Sequence, residues 1–167
     1  MIDNKWFCEP NEERETWCFL TLQTKDLKGQ LTLDGWTIGY GNPNTIHREI
    51  HSNGDNEREI LEQLFRELYY CRRKGITLVT FGKNILPILR IRTAQRNLKD
   101  ASFRGIDIIC LEDLLETYFD PVFYGTSDSG LVEVCQKINI ETNGTTNTEL
   151  MLQLLLRIDP LLPQGVI

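Results

Sequence analysis

The first third of the chain has the alternating apolar and polar positions of β-strands. Residues 16–23 and 33–40 are rich in aromatic and β-branched side chains, which predicts two strands. Residues 25–30 should turn the chain between them. A third strand is expected over residues 45–51, after the Gly-Asn-Pro-Asn turn signal at residues 41–44. Because short turns join antiparallel neighbours, the pattern predicts a three-stranded meander.

The apolar spacing becomes helical after the meander. Residues 57–74 repeat apolar side chains every three or four positions, with acidic residues at the start and basic residues at the end, which predicts a helix. Runs rich in β-branched residues at 76–81 and 106–110 predict two further strands. Other helices are expected at residues 85–96, 111–118, 130–137 and 146–156. The element order predicts an α/β fold with a mixed five-stranded sheet, three antiparallel strands and then two parallel ones, flanked by helices.

The length of 167 residues predicts a single domain that can bury a core without a disulfide or metal to hold it. Within this domain, residues 1–15 form a polar leader and residues 159–167 an apolar tail. Pro160 and Pro163 should keep the tail from becoming helical. The tail is expected either to pack along the body or to lead toward a partner or a further domain.

The five cysteines indicate a reducing compartment. Their number is odd and no two form a Cys-x-x-Cys pair, which favours buried free thiols over a disulfide framework. The N-terminus lacks the apolar region of a signal peptide, and no apolar stretch is long enough to span a membrane. We therefore expect an intracellular protein, cytoplasmic if its source is prokaryotic, that has no membrane partner.

The net charge of −6 disfavours a protein that binds polyanions through an overall positive charge. The distribution of charge is less even than this total. Residues 66–104 contain ten basic and two acidic side chains and lie between two acidic flanks. Such a basic stretch can attract an anionic partner even on an acidic protein. Alternatively, its cations neutralise the acidic flanks within the fold.

Several stretches resemble the motifs of one enzyme family. Residues 19–24, Phe-Leu-Thr-Leu-Gln-Thr, resemble the motif Phe-Leu-Asp-Ile-Glu-Thr on a first strand. Residues 80–92 resemble a second motif, Thr-Tyr-Asn-Gly-x-x-Phe-Asp-Leu-Pro-x-Leu-x-x-Arg, with a small gap. Residues 108–115 and 130–135 are similar to the segments that follow. The family is that of the DEDD-type 3′-5′ exonucleases, which have a ribonuclease H-like fold, and in particular the proofreading exonuclease domain of family B DNA polymerases.

The departures from this family decide what the resemblance implies. In active members, carboxylates hold two divalent metals that activate a water molecule. Here Thr21 stands where the family has Asp, Gln23 where it has Glu, and Ile85 where the second motif has Asp. Neutral oxygens are poor substitutes for carboxylates as magnesium ligands, and isoleucine supplies no ligand. The family's last motif, a Tyr or His with a following Asp, is not recognisable. The resemblance therefore implies a pseudo-exonuclease with no catalytic residue, no bound metal and no cofactor.

An active metal nuclease with displaced ligands is the alternative. The carboxylates available for such a site are Asp26, Asp34, Glu49, Asp107, Glu112 and Asp113. His47, Glu49 and His51 would share one face of the third strand, which permits a metal, although a solvated strand face is the simpler explanation. The ordinary role of the other carboxylates is in turns and at helix starts. Serine or cysteine nucleophile chemistry is disfavoured, because the sequence has no Gly-x-Ser-x-Gly elbow.

An inactive domain of this kind is expected to act as a binding or scaffolding module in a DNA replication, repair or other nucleic-acid-processing complex. A protein partner could dock on the tail or on an exposed strand edge, and the opposed charges also permit homo-oligomers. Single-stranded DNA or RNA could bind the basic stretch, because this stretch lies in the region where the resembled family binds single-stranded nucleic acid. The candidate residues for this contact are Arg72, Arg73, Lys74, Lys83, Arg90, Arg92, Arg96, Lys99 and Arg104. Aromatic residues that could stack on bases are Tyr69, Tyr70, Phe81 and Phe103, although core packing is their simpler role.

Overall fold

Five strands form one sheet at the centre of the computed structural model, which describes residues 14–98, 103–121 and 130–167. The strands are β1 (Trp17–Leu27), β2 (Gln30–Gly41), β3 (Ile46–Asn53), β4 (Thr77–Thr80) and β5 (Ile108–Cys110). Their order in the sheet is β3-β2-β1-β4-β5. The first three strands are antiparallel, whereas β4 is parallel to β1 and β5 is parallel to β4. The predicted mixed sheet is confirmed. Most of the predicted leader and Lys99 lie outside the described residues.

The helices begin and end close to the predicted positions. They are α1 (Glu57–Lys74), α2 (Ile85–Gln95), α3 (Leu111–Tyr118), α4 (Leu131–Lys137) and α5 (Asn147–Ile158). The N-cap side chains Asn56 and Thr146 accept hydrogen bonds from the backbone of Glu59 and Glu149, which satisfies amides that have no intrahelical acceptor. Of the helices in the described ranges, none combines the length and the apolar character that crossing a membrane requires.

The β1–β2 hairpin is longer than its sequence pattern indicates. The chain turns within the expected residues 25–30, but the turn is shorter than predicted, because both strands continue to a two-residue turn with Leu27 paired to Gln30. Lys28 and Gly29 have φ angles of 54° and 80°, as a tight hairpin turn requires. The Asp26 carboxylate accepts a hydrogen bond of 2.8 Å from the Gly29 amide. The hairpin projects into solvent at this end, so its polar residues are compatible with strand structure.

The hairpin turn provides a test of this geometry. Lysine is strained at a positive φ, whereas asparagine tolerates it and is favoured before glycine in such turns. Lys28→Asn should therefore raise the free energy of unfolding by about 0.5 kcal/mol, measured by urea denaturation. A loss of stability in this variant would contradict the turn geometry.

The sheet separates two hydrophobic cores, because successive side chains of a strand point to opposite faces. Cys18 and Leu20 of β1 lie in the first core, under α1 and α2. Trp17 and Phe19 lie in the second core, under α3, α4 and α5. The four described cysteines are free thiols, three of them buried, as predicted.

The tail differs from the prediction at its first proline. Asp159–Leu161 forms a short 3₁₀ helix that continues from α5, with Pro160 in its first turn. Proline is tolerated there because the first N–H groups of a helix have no intrahelical acceptor. Beyond this turn, Leu162 packs against the second core. Of the two outcomes expected for the tail, the structure has it packed along the body at this point.

Candidate functional site

A cleft lies at the carboxyl end of β4, beside the middle of β1. β4 pairs only with Trp17–Phe19 of β1, so the rest of β1 continues past it with one edge unpaired among the described strands. The chain leaves β4 at Phe81 and enters α2 at Ile85, and the start of α4 lies across the opening. The cleft has a volume of about 340 Å³ and is lined by Leu20, Thr21, Leu22, Phe81, Gly82, Ile85, Gly130, Leu131, Val132, Glu133 and Asn147. We call it the β1–β4 cleft.

Three positions carry a neutral residue where the resembled family has a carboxylate, and we call them the degenerate positions. The cleft brings two of them together. Thr21 and Ile85, from separate motifs, both line it. Gln23 does not, and its amide Nε2 donates to Thr37 Oγ1 at 3.3 Å. Gln23 instead borders a second depression of about 400 Å³. The structure therefore joins Thr21 to Ile85 and directs Gln23 toward β2.

The polar groups of the cleft do not fit the two metals of the resembled family. Most of the lining is apolar, and its side-chain oxygens come from Thr21, Glu133 and Asn147. A two-metal site needs several convergent carboxylates, because magnesium prefers charged oxygen ligands, and the lining supplies one. Among residues 14–98, 103–121 and 130–167, no group of three or more His, Cys, Asp or Glu side chains could hold a metal ion.

The carboxylates that an active site with displaced ligands would use lie in different parts of the fold. Asp26 caps the hairpin turn, and Asp34 borders the second depression. Glu112 and Asp113 start α3, and Asp107 is exposed just before β5. Burial raises the pKa of Glu112. The Thr148 hydroxyl donates to Glu49, which ties the start of α5 to β3.

A row of polar side chains crosses the sheet beside the cleft. Thr37 Oγ1 lies 3.0 Å from His51 Nδ1, and His51 Nε2 lies 3.6 Å from Glu49 Oε2. His47 contacts Asn42 instead, at 2.9 Å. The two histidines therefore have different partners and do not combine with Glu49 around one point. Thr37 and Thr148 were not predicted, since nothing in the local sequence indicates which strand or helix they will face.

The basic stretch does not form one surface. Arg92 is 4% exposed, and its guanidinium Nη2 lies 2.6 Å from Glu57 Oε1, with Arg96 Nε at 2.9 Å. Burial acts to raise the pKa of Glu57, but the hydrogen bonds from Arg92, the Leu33 amide and Arg96 outweigh it, so the pKa is lowered. These two arginines neutralise a buried carboxylate within the fold.

Lys83 is also neutralised, next to the β1–β4 cleft. Its Nζ lies 2.6 Å from Glu116 Oε2 and 4.0 Å from Glu112 Oε1, and the hydrogen bond that it donates to Glu116 raises the pKa of Lys83. By contrast, four of the predicted cations lie exposed at or near the end of α1, and a fifth lies exposed on α2. They are Arg72, Arg73, Lys74 and Arg104, and on α2 Arg90.

The four aromatic candidates are likewise divided between packed and exposed positions. Phe81 packs against the second core and Phe103 against the first. Tyr70 packs edge to face on Tyr40, with ring centroids 5.6 Å apart. Tyr69 alone among the four is exposed, at 51%.

Two comparisons of the sequence with known proteins found no relative. No protein-family model matches the chain, and a search of the curated proteins finds no significant match. What can be inferred about function therefore rests on the sheet, the β1–β4 cleft and the exposed charges.

Proposed function

We propose that this chain is a catalytically inactive domain of the ribonuclease H-like exonuclease type. It serves as a binding or scaffolding module in a DNA replication, repair or other nucleic-acid-processing complex. Two features support the fold assignment: three antiparallel strands followed by two parallel ones, and the meeting of Thr21 and Ile85, which come from separate motifs, in one cleft.

The observation that carries the proposal is the set of side chains in the β1–β4 cleft. Thr21 and Ile85 occupy it where the resembled enzymes have carboxylates. Gln23 is neutral and is engaged with Thr37. Phosphodiester hydrolysis in this family depends on charged ligands that hold two metals, and this arrangement lacks them. Glu133 supplies a single carboxylate to the lining.

The unpaired edge of β1 supports a protein-binding role. From Leu20 to Leu27, β1 pairs with β2 alone among the described strands, and an open strand edge can accept an extended segment of a partner through backbone hydrogen bonds. At the tip of the hairpin, Leu27 is 53% exposed and Leu31 is 44% exposed. Apolar side chains beside an open edge suit a protein partner.

Restoring the carboxylates tests this proposal. The variant Thr21→Asp/Gln23→Glu/Ile85→Asp should bind Mn²⁺ at millimolar or lower concentration, because it returns three charged oxygen ligands to the matched positions. The wild-type chain should bind none under the same conditions. Electron paramagnetic resonance of free Mn²⁺ measures both, and circular dichroism checks that the variant is folded. If Ile85→Asp unfolds the chain, Thr21→Asp/Gln23→Glu is used.

A matched control carries the same added charge on the exposed tip of the same hairpin. It is Leu27→Asp/Gln30→Glu/Leu31→Asp, at three exposed positions, and it should bind no Mn²⁺. Wild-type protein incubated with labelled single-stranded DNA and Mg²⁺ or Mn²⁺ should release no nucleotides. Cleavage by the wild type would establish the active alternative with displaced ligands. A restored variant that binds no more Mn²⁺ than the control would contradict the equivalence of these positions with the family's carboxylates.

A further inference from the structure

The outer face of α1 carries a cluster of cations around one exposed aromatic ring. Tyr69 is 51% exposed. The cations around it are all exposed and come from α1 and from the 103–105 turn. We define the Tyr69 patch as Arg66, Tyr69, Arg72, Arg73, Lys74 and Arg104.

The cations of this patch are not neutralised by the described part of the fold. None of them lies within 4.0 Å of a carboxylate of a described residue. By contrast, other cations are paired: Arg48 lies 2.6 Å from Glu15, Lys83 lies 2.6 Å from Glu116, and Arg96 lies 2.9 Å from Glu57. Among the described residues, several cations elsewhere are thus paired, whereas this group is exposed. Uncompensated charges at one place produce a local positive potential even when the total charge is negative.

The ring and the guanidinium groups are held together. The Cζ atom of Arg72 lies 5.0 Å from the centroid of the Tyr69 ring, and that of Arg73 lies 5.9 Å from it. These are cation–π distances. Planar guanidinium groups bind phosphates through paired hydrogen bonds and can stack on bases. The patch therefore combines phosphate-binding groups with flat surfaces for bases.

The helix dipole does not account for the whole patch. Cations in the last turn of α1 suit the negative end of the helix, which explains Arg72, Arg73 and Lys74. Arg66 lies two turns earlier, beyond the reach of that effect. Arg104 comes from another segment, brought close because Arg72 packs on Gly105, where an added Cβ would lie 3.5 Å from Arg72 Cδ.

The patch is separate from the β1–β4 cleft. α1 ends at Lys74, and the chain enters the amino end of β4 at Thr77. The cleft lies at the carboxyl end of the same strand, where Lys83 forms an ion pair with Glu116. The Tyr69 patch is thus at the opposite end of β4 from Thr21 and Ile85.

We propose that the Tyr69 patch binds single-stranded nucleic acid, with the cations on the phosphates and an unpaired base against the Tyr69–arginine stack. Unpaired bases expose the flat faces that such a stack requires, whereas duplex bases do not. The inference rests on the proposed binding module, whose ligand surface it names. It does not depend on the absence of cleavage at the β1–β4 cleft.

Fluorescence anisotropy with a labelled 20-nucleotide oligothymidylate and a 20-nucleotide oligouridylate at about 50 mM salt tests the patch. Wild-type affinity should fall steeply as salt rises. Tyr69→Ala should weaken binding roughly fivefold or more, the effect of losing one stacked base, while Tyr69→Phe retains it. Arg72→Gln/Arg73→Gln should weaken binding and reduce the steepness of the logarithmic salt dependence by about 1.4, or about 0.7 for each lost phosphate contact.

The matched control is Lys28→Asn/Lys137→Gln, which removes two exposed cations from the hairpin turn and from α4. It should leave the affinity within about twofold of the wild type, since these positions lie outside the patch. Absence of binding at low salt, or an equal loss in the control and the patch variants, overturns the inference. Tighter binding of a 20-residue polyglutamate would reassign the patch to an acidic protein and would also overturn it.

The same reactions separate this inference from the proposed function. Each sample receives Mg²⁺, and the oligonucleotide is then examined on a gel. Intact oligonucleotide that the wild type fails to bind removes the patch inference and leaves the inactive cleft in place. Cleaved oligonucleotide, with binding lost in Tyr69→Ala, removes the inactive assignment and supports the patch.

Discussion

Glu57→Gln should lower the free energy of unfolding by about 3–5 kcal/mol, the cost of breaking a buried ion pair from one side. The Glu57 side chain is 4% exposed and contacts Arg92 and Arg96 at 2.6 and 2.9 Å. It also accepts a hydrogen bond of 2.5 Å from the backbone amide of Leu33. A neutral amide leaves the Arg92 guanidinium buried without its counter-charge. Urea denaturation measures the change.

Glu62→Gln is the control for this experiment. Glu62 pairs with Arg58 at 3.0 Å one turn along the same helix, but its side chain is 43% exposed. Exposed pairs of this type contribute about 0.3–0.5 kcal/mol, so the control should change stability by no more than that. Equal losses in the two variants would contradict the tie between α1, α2 and β2 through Glu57.

The same pair predicts a pH dependence. The hydrogen bonds to Glu57 hold its pKa below the ordinary 4.5, so the folded state binds this proton less readily than the unfolded state. Its stabilisation is complete above pH 4.5 and is lost as pH falls from there through the folded pKa. The stability difference between wild type and Glu57→Gln should therefore shrink below pH 4.5. A difference that is constant from pH 6 to pH 3 would contradict this linkage.

Trp36→Ala should cost about 3–5 kcal/mol of unfolding free energy, as expected for a buried aromatic residue. Trp36 is 2% exposed, and its indole N–H donates to the Ile60 carbonyl at 2.9 Å, which fastens α1 to β2. Trp36→Phe keeps most of the apolar contact and loses the hydrogen bond, at a cost of about 1 kcal/mol. Thermal or urea denaturation measures both variants.

Tyr69→Ala serves as the comparison for Trp36→Ala. It removes an aromatic side chain from the exposed side of α1, and surface substitutions of this kind change stability by about 0.5 kcal/mol or less. This result would also show that weakened nucleic-acid binding by Tyr69→Ala does not come from unfolding. A cost similar to that of Trp36→Ala would mean that Tyr69 supports the fold, against its exposure.

The buried ion pair shows why the basic stretch was only partly interpretable from sequence. A count of charges along residues 66–104 gives an excess of cations, but it cannot assign partners. The partner of Arg92 is Glu57, 35 positions earlier, and that of Lys83 is Glu116, 33 positions later. Pairing depends on how α1, α2 and α3 pack, and this separates structural cations from those of the Tyr69 patch, which have no carboxylate partner in the described ranges.

The β1–β2 hairpin shows a similar limit for secondary structure. Lys25 and Asp26 are polar and Gly29 follows shortly after, which favours a turn when these residues are considered locally. The two strands nevertheless stay paired as far as Leu27 and Gln30. Cross-strand pairing is a contact between distant residues, so local propensity does not decide where such a strand ends.

The sequence by itself determined the element order, the two faces of the sheet and the neutral side chains of Thr21, Gln23 and Ile85, because periodicity and residue chemistry are local properties. Only the tertiary structure decided that Thr21 and Ile85 share a cleft while Gln23 turns to Thr37. It alone also left Tyr69 exposed beside cations that have no carboxylate partner among the described residues. Burial and ion pairing depend on contacts between segments far apart in the chain, and the packing of helices on the sheet sets those contacts.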